Sequence, residues 1–125
     1  MIVAVLDDLM FTSKIRAAAA GLGVTVTFAR SVQAALSALR ASGTSSETAP
    51  ASGLVLLDLN GTTTDPLGVV AAIRADDALR GVRVIGFISH VQTQAIDAAR
   101  RAGATEVLSR SAFVQRLPEL LTRNV

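Results

Sequence analysis

At 125 residues and 12.9 kDa, the chain has the length of one domain, too short for two independent hydrophobic cores. Half of its residues are hydrophobic and 18% are charged, so it can bury enough apolar surface to offset the entropy of ordering, which excludes a disordered polypeptide. It has no cysteine, which excludes disulfide frameworks, thiolate metal sites and thiol catalysis and points to the cytoplasm. The net charge is only +2, with eleven of the twelve cations being Arg spread along the chain and no Trp or Tyr; a basic stripe with base-stacking aromatics is not there, so direct nucleic-acid binding is not expected. Asp7 and Asp8 interrupt the apolar start far short of the roughly 20 residues a membrane span needs, and no membrane association is expected.

Residues 2–6 read as a strand. Phe11, Ile15, Ala18, Ala19 and Leu22 then recur at the spacing that lines one face of a helix, with Gly23 as its stop. Residues 24–28 read as a second strand, after which the Ser31 hydroxyl is placed to cap a helix with the stripe Val32, Ala35, Leu36 and Leu39. The segment 41–53 mixes Ser, Thr, Pro and Gly without an apolar period and reads as a flexible loop. A third strand spans 54–57. Asp65 followed by Pro66 is a helix start, because Pro lacks only an N–H that the first turn leaves unused, and Val69, Val70 and Ile73 supply the buried face. A fourth strand spans 82–88, and the next helix carries Val91, Ala95, Ala98, Ala99 and Ala102 before Gly103 ends it. After a fifth strand at 106–108, Ser111 is expected to cap a helix through Phe113, Leu117, Leu120 and Leu121, bent at Pro118.

Strands that are apolar almost throughout are buried on both faces, and strands separated by helices pair in parallel. The expected architecture is a single α/β domain over 1–125: a doubly wound five-stranded parallel sheet in the order 2-1-3-4-5, flanked by helices. Such sheets bind ligands outside the carboxyl ends of their strands. Asp7 and Asp8 follow the first strand, Asp58 ends the third, Ser89 follows the fourth and Arg110 the fifth. With that strand order three carboxylates meet at one rim, a crowding that a hard divalent cation such as Mg²⁺ relieves. Taken singly, Asp7 and Asp8 also suit the positive end of the first helix, and Ser89 suits a helix cap. His90 has no catalytic partner in the sequence and reads as a loop residue.

The motifs Val5-Leu6-Asp7-Asp8, Leu56-Leu57-Asp58-Leu59-Asn60, Ser89 after an apolar strand and Ala102-Gly103-Ala104 before the last strand resemble those of the receiver domains of two-component response regulators, over essentially the whole chain. The resemblance implies a flavodoxin-like or CheY-like fold, with Asp58 as phosphoacceptor and Mg²⁺ held by Asp7, Asp8, Asp58 and the backbone carbonyl of Asn60. It gives Ser89 the hydrogen bond to a phosphoryl oxygen and a histidine kinase or other signalling protein as partner, with catalysis limited to the domain's own phosphorylation and dephosphorylation. It also implies pairing of two copies through the fourth helix, fifth strand and fifth helix, a face that would include Ala95, Ala99, Arg100, Val107 and Phe113. The sequence departs from the pattern in three places. Arg110-Ser111 replaces the usual Lys-Pro, Val107 replaces the usual aromatic, and Gly61-Thr62-Thr63-Thr64-Asp65-Pro66 replaces the usual Met- and Pro-rich segment. These departures keep a second reading open, a pseudo-receiver that binds partners without phosphotransfer. A third compares Asp58-Leu59-Asn60-Gly61-Thr62 with the first motif of haloacid-dehalogenase-type phosphatases, whose acid/base Asp is here Asn60.

Overall fold

A computed structural model describes residues 2–42, 52–60, 64–79, 81–89 and 93–122. The chain alternates strand and helix: β1 (Ile2–Val5), α1 (Leu9–Leu22), β2 (Thr27–Ala29), α2 (Val32–Ser42), β3 (Ser52–Asp58), α3 (Pro66–Ala75), a single 3₁₀ turn (Asp77–Leu79), β4 (Gly81–Ile88), α4 (Thr93–Ala102), β5 (Glu106–Ser109) and α5 (Arg110–Thr122). The strands form one parallel sheet in the order β2-β1-β3-β4-β5, as the sequence implies.

The near-continuous apolar strands serve two cores at once. Alternate side chains point to opposite faces of a pleated sheet, so Ile2, Ala4, Leu54, Leu56, Ile85 and Phe87 pack beneath α1 and α5 with Phe11, Ile15, Phe113 and Leu117. Their neighbours Val3, Val5, Val55, Leu57, Val82 and Val84 pack with Leu39, Val69, Val70 and Ile73 from α2 and α3. The same alternation continues into Asp58, two residues beyond Leu56. Its side chain therefore leaves the end of β3 on the α1 and α5 side, beside its β4 register partner Phe87.

Helix ends follow the local chemistry. The Asp8 carboxylate accepts from the Phe11 N–H to cap α1, Ser31 Oγ accepts from Ala34 N at 3.0 Å at the head of α2, and Asp65 takes a left-handed conformation to accept from Gly68 N ahead of Pro66. Gly103 ends α4 with φ 118°, and a Cβ there would stand 2.6 Å from Cγ of Arg74, so both the backbone and its neighbour demand glycine.

Several boundaries differ from the sequence reading. β2 is three residues long, because only Thr27, Phe28 and Ala29 find register partners on β1, while Val24 and Val26 pack against the core outside it. Ser42 still belongs to α2 and Ser52 already to β3; the remainder of the expected 41–53 loop, residues 43–51, lies outside the described residues, as do His90 and Val91. The last helix is capped by Ser109, not Ser111: Ser109 Oγ accepts from Ala112 N at 3.2 Å, and α5 starts directly from β5 at Arg110. The helix runs on through Pro118, which sits on its exposed side, where the carbonyl deprived of a donor can meet water. Leu22 is exposed, although the stripe of α1 predicts it inside. Ala99 and Phe113 are fully buried within the chain, so neither belongs to a surface for a second copy. No helix among the described residues is long and apolar enough to cross a membrane.

Candidate functional site at the carboxyl rim of the sheet

The register Val5↔Leu57 brings the ends of β1 and β3 level, and Asp8 and Asp58 leave those ends as neighbours. Arg110, the first residue of α5, reaches between them. Its Nη2 lies 3.3 Å from Asp8 Oδ2 and 3.4 Å from Asp58 Oδ2, so one nitrogen bridges both carboxylates. These are long for charge-assisted bonds, which usually fall near 2.7 to 2.9 Å. The guanidinium is carried on a ring, with Cζ 4.8 Å from the centroid of Phe11. Phe11 in turn stacks on Phe87 at 4.9 Å, and Phe87 on Phe113 at 4.2 Å.

Every carboxylate oxygen of this pair has a partner. Asp8 Oδ1 accepts from Phe11 N at 3.1 Å and Asp58 Oδ1 from Asn60 N at 2.9 Å, while Arg110 holds Oδ2 of both. Arg110 Nε is buried and has no hydrogen-bond partner among the described residues. The guanidinium therefore has one nitrogen holding both carboxylates and one buried donor without a partner among the described residues.

Asp58 is 1% exposed. Burial raises its pKa above the ordinary aspartate range; the Asn60 N–H and the Arg110 charge pull it back, while Asp7 and Asp8 push it up again. Asp7 is half-buried, near enough to act on Asp58 through its charge. Ser89 is exposed, and its N–H and hydroxyl both donate to Asn60 Oδ1, at 2.7 and 2.8 Å. Sequence reasoning gave Asn60 a role through its carbonyl; its side chain, which ties the end of β3 to the end of β4, went unread. The apolar stripe marks Phe11 only as a core residue of α1 and by itself gives no sign of its place beneath Arg110. The one available signal was an aromatic three residues after the capping Asp8, on the side of α1 that faces the rim. Thr64, also unread, is fully buried with its hydroxyl unpartnered among the described residues.

The donor chemistry suits a hard divalent cation, but the arrangement does not. Among the described residues no group of three or more His, Cys, Asp or Glu side chains is gathered to hold a metal. Oδ2 of Asp8 and Oδ2 of Asp58, the oxygens not engaged by backbone N–H groups, are both held by Arg110.

No family model matches the sequence, nor does any curated protein sequence. Solved structures do match. The phosphorylated cyanobacterial phytochrome response regulator RcpA is 23% identical with a TM-score of 0.72, the match covering 98% of this chain and 88% of that one. The receiver domain of NtrX from Brucella abortus is 20% identical with a TM-score of 0.73, covering 98% and 96%. The Mn²⁺-bound response regulator Rcp1 is 18% identical with a TM-score of 0.69, covering 95% and 89%. The chain has the receiver-domain fold. In a receiver fold the rim built by β1, β3 and β5 is where strand ends and helix starts converge, and Asp8, Asp58 and Arg110 stand on that rim.

Proposed function

We propose that the chain is a phosphoacceptor module of two-component signalling in which Asp58 takes the phosphoryl group and Arg110 holds it. The observation that carries this reading is Arg110 itself, whose Nη2 already pairs with Asp58 while its buried Nε has no hydrogen-bond partner among the described residues. A phosphoryl group on Asp58 supplies the oxygen that this donor lacks, and a guanidinium receives two phosphoryl oxygens on one edge, which an ammonium does not. In the reaction an Asp58 oxygen attacks phosphorus, the bond from phosphorus to the donor's nitrogen or oxygen breaks, and an acyl phosphate forms. The leaving imidazole or acetate departs with the bonding pair, the imidazole taking a proton from water. Asp58 must be ionised to attack, so phosphorylation quickens as pH rises through its elevated pKa.

Ser89 reaches a phosphoryl oxygen only by giving up the hydroxyl bond to Asn60 Oδ1. Mg²⁺ at Asp7, Asp8, Asp58 and the Asn60 carbonyl belongs to this reading only with Arg110 withdrawn, so no step is routed through it. A histidine kinase or other signalling protein as donor, a cytoplasmic setting and pairing of two copies through the exposed parts of α4, β5 and α5 complete the proposal. The closed bridge and the engaged Ser89 favour one competing reading, the pseudo-receiver that recognises partners without phosphotransfer.

Acetyl phosphate separates the two. The wild type is expected to gain one phosphoryl group by intact mass and Asp58→Asn to gain none; a wild type that stays unmodified, with and without Mg²⁺, establishes the pseudo-receiver. Steady hydrolysis of a phosphate monoester would restore the phosphatase reading.

A further inference from the structure

The surroundings of Arg110 raise a separate question: why an arginine, and what keeps it in place. Its hold on the carboxylates is one nitrogen at 3.3 and 3.4 Å. Its side chain is 30% exposed, and its Nε contributes no hydrogen bond to a described residue. A rotamer-rich side chain bound so loosely should wander. The guanidinium also lies over the face of Phe11, with Cζ 4.8 Å from the ring centroid. That ring is itself fixed: it is 6% exposed, stacks on Phe87 at 4.9 Å and meets Phe113 at 5.8 Å.

We propose that Phe11 is a positioning residue whose ring holds the Arg110 guanidinium between Asp8 and Asp58, so that the rim carries a resident organic cation where a divalent metal would compete for the same oxygens. The proposal rests on the reading of Asp8, Asp58 and Arg110 as a charge-handling site, but not on phosphotransfer. Phe11 acts twice. Its backbone N–H occupies Asp8 Oδ1, and its ring carries the group that occupies Asp8 Oδ2, so one residue governs both oxygens of that carboxylate. A flat, weakly hydrated guanidinium lies against a ring face better than a compact, strongly hydrated ammonium, which gives arginine a reason to stand here. A metal ion entering the rim must break the Arg110 bridge and the cation–π contact together.

The test uses Mn²⁺ as probe, titrated into the full chain and followed by water-proton relaxation, with no phosphoryl donor present. Relative to wild type, Phe11→Leu keeps the backbone N–H and the apolar bulk but loses the ring, and is expected to bind Mn²⁺ about fivefold more tightly. Arg110→Ala should bind more tightly still, and Phe11→Tyr should match wild type. In the wild type the Arg110 δ-methylene protons are expected to resonate upfield through the ring current, a signature lost in Phe11→Leu and kept in Phe11→Tyr. Should Phe11→Leu not fold, Arg110→Lys retains the charge without the planar face and is expected to bind Mn²⁺ more tightly than wild type. Equal Mn²⁺ affinity in wild type and Phe11→Leu, or in wild type and Arg110→Lys where that variant stands in, overturns the role of Phe11. Equal affinity in wild type and Arg110→Ala overturns the resident cation as well. Neither result bears on whether acetyl phosphate labels Asp58, so the two readings fail separately.

Discussion

Two arginines of this fold lie at opposite ends of the sheet and are used in opposite ways. Arg74, on α3, engages each of its three nitrogens with a neutral acceptor: Nε donates to Gly103 O at 2.8 Å, Nη1 to Val82 O at 2.7 Å and Nη2 to Thr105 Oγ1 at 3.1 Å. It ties α3 to the start of β4 and to the turn that leads from α4 into β5. Arg110 meets two carboxylates at 3.3 and 3.4 Å through one nitrogen and keeps a buried donor idle. The first arrangement is what a structural arginine looks like, with every nitrogen engaged by an acceptor and its stem packed against Gly103. The second keeps a buried donor without a partner among the described residues. That contrast, more than charge or burial, separates a residue that holds the fold from one held ready for a ligand.

The largest effect should come from removing the structural arginine. Arg74→Ala leaves the Val82 and Gly103 carbonyls without this donor, and we expect it to destabilise the protein by about 2 to 4 kcal/mol in urea unfolding. A loss under about 1 kcal/mol would mean water replaces the guanidinium at little cost, and the distinction drawn between the two arginines would fail.

The rim site should respond with the other sign. Because burial raises the Asp58 pKa, the folded state binds its proton more tightly than the unfolded chain does. Stability from this group is therefore fully present below the unfolded aspartate pKa and is lost as pH rises through the folded one. At neutral pH Asp58→Asn removes the buried charge and should stabilise the protein on the order of 1 kcal/mol, even though it weakens the pair with Arg110. The gain should shrink towards zero as the wild-type carboxyl becomes protonated. Thermal melts across that range test the sign: a variant less stable at neutral pH would show that the Arg110 pair outweighs the burial of Asp58.

The contrast also explains what could be read from the sequence. The sheet order and both cores were legible because apolar runs and helical stripes are one-dimensional patterns that a sheet buried on both faces imposes. The convergence of Asp8, Asp58 and Arg110 was legible too, since each follows a strand and the topology does the gathering. The partners of Ser89 and the place of Phe11 were not, because they depend on which rotamer a side chain takes across a loop. Phe11 satisfies the apolar stripe of α1 and supports Arg110 at once, and the stripe hides the second role. Ser109 displaced Ser111 as the cap of α5 for a related reason: the strand passes into the helix without a connecting residue, which no local signal announces.

The comparison extends to two threonines, one of which, Thr64, carries the smallest expected effect. Thr105 Oγ1 accepts from Val84 N at 3.0 Å and from Arg74 Nη2, within the Arg74 cluster. Thr64, in the connection from β3 to α3, is fully buried with its hydroxyl unpartnered among the described residues. Valine has nearly the same shape as threonine without the hydroxyl, so the substitution measures the polar group with little change in packing. Thr105→Val strands a strand N–H and should cost about 1 to 2 kcal/mol. Thr64→Val removes a desolvated hydroxyl and should be neutral or stabilise by about 0.5 kcal/mol. If Thr64→Val instead lowers the melting temperature as Thr105→Val does, its hydroxyl has a partner in the folded protein, and the rim is better satisfied than the idle donor of Arg110 suggests.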